Sequence, residues 1–212
     1  MKQAATRELY SYWNGLRGER LSPERGEIDP AAIRGILADT FMLEVDAARR
    51  YPFRLSGTRL NALFMEDLMG RSFHALWARR DRDDIAELLA SICDDAAAVV
   101  AGVTAAPSQR PHIELELLLL PVRHLGKTHA RILGCLSPAK LASWMGLLAV
   151  ECLAMQALRI LRHSRRDADR LDALATSSGA EEATVFRRQL GSTSEPKESL
   201  RRGHFFVHQR GR

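Results

Sequence analysis

The chain predicts an α+β fold: a five-stranded antiparallel sheet with helices on one face and a helical extension at its N-terminus. Three observations carry that prediction. Segments 40–46, 53–55, 112–122 and 128–136 alternate their side chains with period two around turn-forming residues, as half-buried strands do. Residues 81–97 carry Ile85, Leu88, Leu89 and Ile92 at helical spacing behind Asp81, Asp83 and Asp84, which suit a helix N-terminus. Residues 4–17 place Leu9, Trp13 and Leu16 at i, i+4 and i+7, one apolar helical stripe.

The other elements follow in chain order. Gly18 to Glu27 mix Gly18, Pro23 and Gly26 with charges and read as a loop. Asp29-Pro30 opens a second helix: Asp29 can accept from free backbone N–H groups, and Pro30 has no N–H to lose at the first position. Ile33, Ile36 and Leu37 form its apolar face. In the first strand Phe41, Leu43 and Val45 share one side, and Met42, Glu44 and Asp46 the other. Arg49 to Pro52 turn the chain into a strand with Phe53 and Leu55, where Arg54 can pair with Glu44 across the hairpin. Gly57 ends that strand. Thr58 is placed to cap a short helix bearing Leu60, Leu63 and Phe64, and Gly70 breaks it. Ser72 is placed to cap a turn with Phe73, Leu76 and Trp77. Val99 to Ala105 are small and β-branched and read as a strand, and Pro107–Pro111 as a turn. In 112–122, Ile113, Leu115, Leu117 and Leu119 line one face. The other face begins with Glu114 and Glu116 and continues as Leu118 and Leu120, so it needs a cover, either the N-terminal helix or a second copy in a homodimer. Gly126-Lys127 make the hairpin turn. In 128–136, Ala130, Ile132, Gly134 and Leu136 share a face opposite Arg131. The period of residues 147–162 supports either a helix or a broken strand, and helix is the expectation. From Ser164 onwards no apolar period is sustained, and the end of the chain reads as a mostly disordered basic tail with helical character near Asp167–Leu174. The expected division is an extension over 1–38, a domain over 39–162 and a tail over 163–212.

Composition bounds the function. The chain has 212 residues, 46% hydrophobic and 27% charged, enough for one core and a tail. The N-terminus lacks an apolar signal segment, and the longest apolar run, Leu117–Leu120, is too short to cross a bilayer, so a cytoplasmic location is expected. Cys93, Cys135 and Cys152 are widely spaced and form no ligand pattern, so neither a disulfide framework nor a metal site is expected. The net charge of +5 comes from 31 basic against 26 acidic residues, mostly interspersed. No nucleic-acid recognition motif accompanies it, so nucleic acid and membrane are not the expected partners. No catalytic motif is present: no nucleophile elbow, phosphate-binding glycine loop or zinc-protease helix. The expectation is a non-enzyme that requires no cofactor.

An ordered set of fragments adds to this. Tyr12-Trp13 with Leu16-Arg17 is followed by Pro23-x-Arg25 and Ile28-Asp29-Pro30. Then come Phe41-x-Leu43-Glu44-Val45, Phe53-Arg54-Leu55-x-Gly57-Thr58 and Leu68-x-Gly70-Arg71-Ser72-Phe73 with Leu76-Trp77. Ile132-Leu133-Gly134-x-Leu136-Ser137-Pro138 closes the set. Over residues 9–162 the chain resembles the PAS domain, and within it a family of small alphaproteobacterial PAS proteins, the MopJ-like family. It departs from that family at Met65, where a glycine is usual, and in its basic tail. The resemblance implies a small cavity between sheet and helices and a stand-alone sensor or adaptor in signalling, without kinase, cyclase or DNA-binding output.

Such a cavity would be lined by Phe41, Leu43, Phe53, Leu55, Leu60, Phe64, Phe73, Trp77, Leu115, Leu117, Ile132 and Gly134; the plainer reading is that these side chains fill the core. Gly134 suggests room for something else, because a glycine inside a strand leaves space. His74 has the setting of a helical haem ligand without a supporting motif, so a solvated or capping role is the expectation. Cys93, in Ile-Cys-Asp-Asp, lacks the context of a flavin photosensor cysteine and reads as structural, and Cys135 as a small hydrophobe. Arg54 and Arg71 read as surface ion-pair partners. Leu9, Trp13, Leu16, Leu118 and Leu120 are the candidate interface. His204 and His208 have metal-like spacing, and Arg201–Phe206 mixes cations with aromatics. The functional expectation is therefore a regulatory module contacting signalling proteins, with a small ligand in its core as the switch. The alternative is a scaffold whose basic tail binds nucleic acid or an anionic membrane.

Overall fold

The computed structural model describes residues 1–125 and 127–161. The tail readings, His204 and His208 and Arg201–Phe206 lie outside the described residues. One antiparallel sheet carries six strands: β1 (Thr40–Glu44), β2 (Phe53–Ser56), β3 (Ala98–Ala105), β4 (Ile113–His124), β5 (Lys127–Pro138) and β6 (Leu153–Leu161). Their order is β2-β1-β5-β4-β3-β6. Three α-helices, α1 (Ala4–Arg17), α2 (Thr58–Phe64) and α3 (Arg82–Asp95), and several 3-10 turns complete the described chain.

Both faces of the sheet are covered at the middle of β4, so that strand reads Leu117-Leu118-Leu119-Leu120 without a polar break, as a doubly buried strand should. On the inner face Leu115, Leu117 and Leu119 pack with the α3 stripe Ile85, Leu88, Leu89 and Ile92. On the outer face Leu118, Leu120, Val122 and Leu133 pack with Leu9 and Trp13 of α1. Trp13 has no exposed surface, and its indole N–H donates to the Pro121 carbonyl at 2.9 Å. The cover that the apolar outer face requires is thus the N-terminal helix. Glu116 fixes the start of that helix. Its carboxylate accepts from the backbone N–H groups of Lys2 and Gln3, at 2.7 and 2.9 Å, and from the Thr6 hydroxyl. It holds the two residues that lead into the helix and one side chain of its first turn, while Gln3 at the N-cap position makes no side-chain cap of its own.

A strap crosses the inner face from one sheet edge to the other. It leaves β2 through Gly70 N–H to Phe53 C=O (2.8 Å) and Phe73 N–H to Tyr51 C=O (3.1 Å). It meets β6 where Ala78 N–H donates to Leu153 C=O (2.9 Å) and the Met155 N–H donates to Asp81 Oδ2 (3.0 Å). Phe73, His74 and Trp77 ride on this strap.

Several expectations need correction. The sheet has a sixth strand, and of the two readings of 147–162 the strand holds, not the expected helix: Leu153–Leu161 pairs along the whole of β3. A bulge at Gln156, between the Gly102↔Ala157 and Val103↔Met155 pairs, makes the inward residues Met155, Leu158 and Ile160 fall three and then two apart. That spacing imitates a helix, while the open edge of β3 offers backbone partners that decide for strand. Gly57, not Thr58, holds the N-cap position of α2, and Thr58 begins the helix. Asp29 does cap, accepting from Ala31 N–H at 2.9 Å, but the element is a 3-10 turn (Pro30–Ile33). Ser72 sits at its N-cap position, yet its hydroxyl donates to the Arg50 carbonyl (2.6 Å) and ties the strap to the β1–β2 turn.

Candidate functional site

The inner face gathers most of the sequence-predicted lining residues. Phe41, Leu43, Phe53, Leu60, Phe64, Phe73, Trp77, Leu115, Leu117 and Ile132 all belong to its buried cluster. At its centre Phe41 lies 5.5 Å from Phe53 and 5.6 Å from Phe73 between ring centroids, and Phe73 meets Trp77 edge-on at 5.8 Å. Leu55 is the exception: it is 36% exposed. The β1–β2 register pairs Phe53 with Leu43 but Leu55 with Met42, so a bulge at Arg54 turns Leu55 off the inner face. Gly134 pairs with Phe41, and a Cβ on it would meet that ring at 2.1 Å. What occupies the space at this glycine is the Phe41 ring.

The cluster is not wholly apolar. Trp77 has no exposed surface, and its Nε1–H has no hydrogen-bond partner among the described residues. Nε2 of His74 is likewise buried and unpartnered, and its ring stands edge-on to Tyr51 at 5.3 Å. The Tyr51 hydroxyl lies beside the Cys93 thiol and the Arg49 guanidinium without a good hydrogen bond to either. Burial pushes Tyr51 up to about 12 and Cys93 up to about 11, so both stay protonated at neutral pH. Burial, then the nearby Arg82 charge, lowers the His74 pKa and keeps the imidazole neutral. An orphaned buried polar atom costs about 1–3 kcal/mol, so three in one region ask for an explanation. Tyr51 gave no pattern in the sequence; it stands alone in a turn and adopts φ of 50°, rare for an aromatic residue. His74 is half-buried, with Nε2 at the buried end of its ring.

The interface residues lie elsewhere. Leu9, Trp13, Leu118 and Leu120 are buried against one another under α1, with Leu16 partly buried at the margin. The contact they make is within one chain, with α1 as the cover of the outer face. Glu116 was visible in the sequence only as a carboxylate interrupting a leucine-rich face; its role as the α1 anchor was the missed residue there. Arg54 pairs with Glu44, which also holds Arg131 at 3.1 Å, and Arg71 pairs with Glu66, as surface ion pairs. Cys135 is fully buried among the outer-face apolar side chains, which raises its pKa out of reach of neutral pH.

Residues 1–137 match the model of the PAS domain, and the chain belongs to that family. The matched region takes in α1 and ends before β6. PAS membership and the two-sided core fit a sensory or regulatory module. No curated protein matches the chain. Among solved structures, a variant of RsLOV is similar at 10% identity and a TM-score of 0.40, over 53% of this chain and 69% of that one. An RNA-binding Light-Oxygen-Voltage receptor is similar at 18% identity and a TM-score of 0.40, over 73% of this chain and 40% of that one. Among the described residues no helix is long and apolar enough to cross a membrane.

Proposed function

We propose that the protein is a PAS-type regulatory module, a binding protein and not an enzyme, switched by a small ligand in its aromatic inner core. The observation that carries this is the Trp77 Nε1–H, a fully buried donor with no partner among the described residues, set on the strap beside Phe73. A ligand with a hydrogen-bond acceptor and an apolar body satisfies that donor and stacks among the rings.

The output is contact with a signalling protein. The strap joins β2 to β6, so a change in its seat moves both sheet edges, and α1 packs on the reverse of the same sheet, over β4 and β5. The coupling element is therefore α1 itself, docked through Leu9, Trp13, Leu118 and Leu120. This reading keeps 1–38 as the reporting extension and 39–162 as the sensor. It also keeps a cytoplasmic location and MopJ-like kinship, the latter supported by the fragments from Tyr12 to Pro138. The test is the indole 15N–1H NMR spectrum, with Trp77→Phe assigning the Trp77 signal. The expected result is a downfield Trp77 signal in protein as purified that moves upfield after unfolding, dialysis and refolding. The same signal before and after stripping contradicts the reading.

A further inference from the structure

The outer face of the sheet is only partly covered. Beyond the first turn of α1 a cleft of about 690 Å³ opens over β3, β4 and β6. Small-molecule sites have volumes of roughly 300–1,000 Å³. Its floor is flat because Gly102 of β3 pairs with Ala157 of β6. Neither packing nor backbone requires a glycine there: an added Cβ would come no closer than 3.7 Å, to Ala157 Cβ. The missing side chain keeps the floor open. The walls are polar. Thr104 accepts from the Gln156 amide at 2.9 Å, and Lys2, His112, Glu114 and Arg159 stand around the rim. Glu116 is also in the wall, but its carboxylate is turned to Lys2, Gln3 and Thr6.

The charges are ordered along the cleft. The register pairs Arg159 with Val100 on one side of Gly102, and Glu114 with Thr104 on the other. We propose that this cleft is a second ligand site, on the face opposite the aromatic core, for a flat anionic amphiphile. The apolar body lies over Gly102 and Ala157, and the acid group points to the Arg159 end, away from Glu114. Because Met1, Lys2 and Gln3 form one wall, an occupant also braces the docked start of α1.

The probe is 8-anilinonaphthalene-1-sulfonate, whose fused ring and sulfonate match that chemistry. The full-length protein is titrated by fluorescence, and the site is mapped by backbone 15N–1H shifts. Saturable one-site binding is expected, with shifts centred on Gly102, Ala157 and Arg159. Gly102→Leu should weaken it at least tenfold while circular dichroism stays unchanged, and Arg159→Gln should weaken it several-fold. Should Gly102→Leu fail to fold, Ala157→Leu blocks the same floor from the neighbouring strand. Absence of saturable binding overturns the proposal. So do shifts confined to the Phe41, Phe73 and Trp77 region, or a folded floor variant that binds like the parent protein.

Discussion

Gly134 leaves the Phe41 ring the space it occupies in the inner core. A methyl group on Gly134 would sit 2.1 Å from Phe41 Cζ, so the ring must leave its place or the strands must part. Overpacking of this kind costs about 1–3 kcal/mol. Gly134→Ala should therefore lower stability by about that amount in urea unfolding, and Phe41→Leu in the same chain should restore part of the loss. Met65 is the opposite case. It closes α2 at φ of 55° and is 51% exposed, so its side chain adds strain with little packing in return. The left-handed conformation costs a non-glycine residue about 1–2 kcal/mol. Met65→Gly should raise the melting temperature, with a gain of about 1 kcal/mol after glycine's extra unfolded-state freedom is counted. The family resemblance had already marked Met65 as the odd residue, and the backbone gives the reason. Tyr51 carried no such mark: a lone aromatic in a polar turn looks like surface until the strap is seen folding over it.

At the scale of elements, docking of α1 rests on apolar burial and on one carboxylate. Hydrogen bonds to charged groups are worth about 1.5–3 kcal/mol. Glu116→Gln should cost about 2 kcal/mol at pH 7, read by urea unfolding. Hydrogen exchange should rise first in residues 2–8. Unchanged protection of that turn would show that the apolar stripe alone holds the helix. The stripe was legible because Leu9, Trp13 and Leu16 repeat at helical spacing and β4 shows an apolar outer face that something must cover. The carboxylate was not, since a strand glutamate is ordinarily a solvent-facing residue. The sixth strand was illegible for a different reason. Its bulge gives Met155, Leu158 and Ile160 a nearly helical spacing, and a strand that depends on a distant edge partner leaves no local signal. Most other elements were readable because pattern, caps and turn residues agreed with one another.

For the whole molecule, the shifted groups set an acid limit. His74 and Glu116 both have folded pKa values below their ordinary 6.5 and 4.5. For His74 the cause is burial, then the Arg82 charge. For Glu116, burial works the other way but is outweighed by the hydrogen bonds from Thr6, Gln3 and Lys2. In each case the unfolded chain takes up the proton more readily, so stability is present above the ordinary value and is lost as pH falls through the folded one. Stability should therefore decline in two stages, one below pH about 6.5 and one below about 4.5. His74→Phe should remove the first stage and leave the second, as read by thermal unfolding across pH. An unchanged first stage would assign it to another group. The inner core was legible as a set of rings and leucines on one face. Its unpartnered indole and imidazole were not, because burial of a polar atom depends on the crossing of the strap.

The most direct measurement is native mass spectrometry of the full-length protein as purified, with an absorbance spectrum of the same sample. A small mass beyond the polypeptide, released on denaturation and reduced in Trp77→Phe, is the expected result and makes the aromatic core a ligand-binding sensor. A clean polypeptide mass with no absorbing species, unchanged by Trp77→Phe, contradicts it and leaves the rings as a filled core.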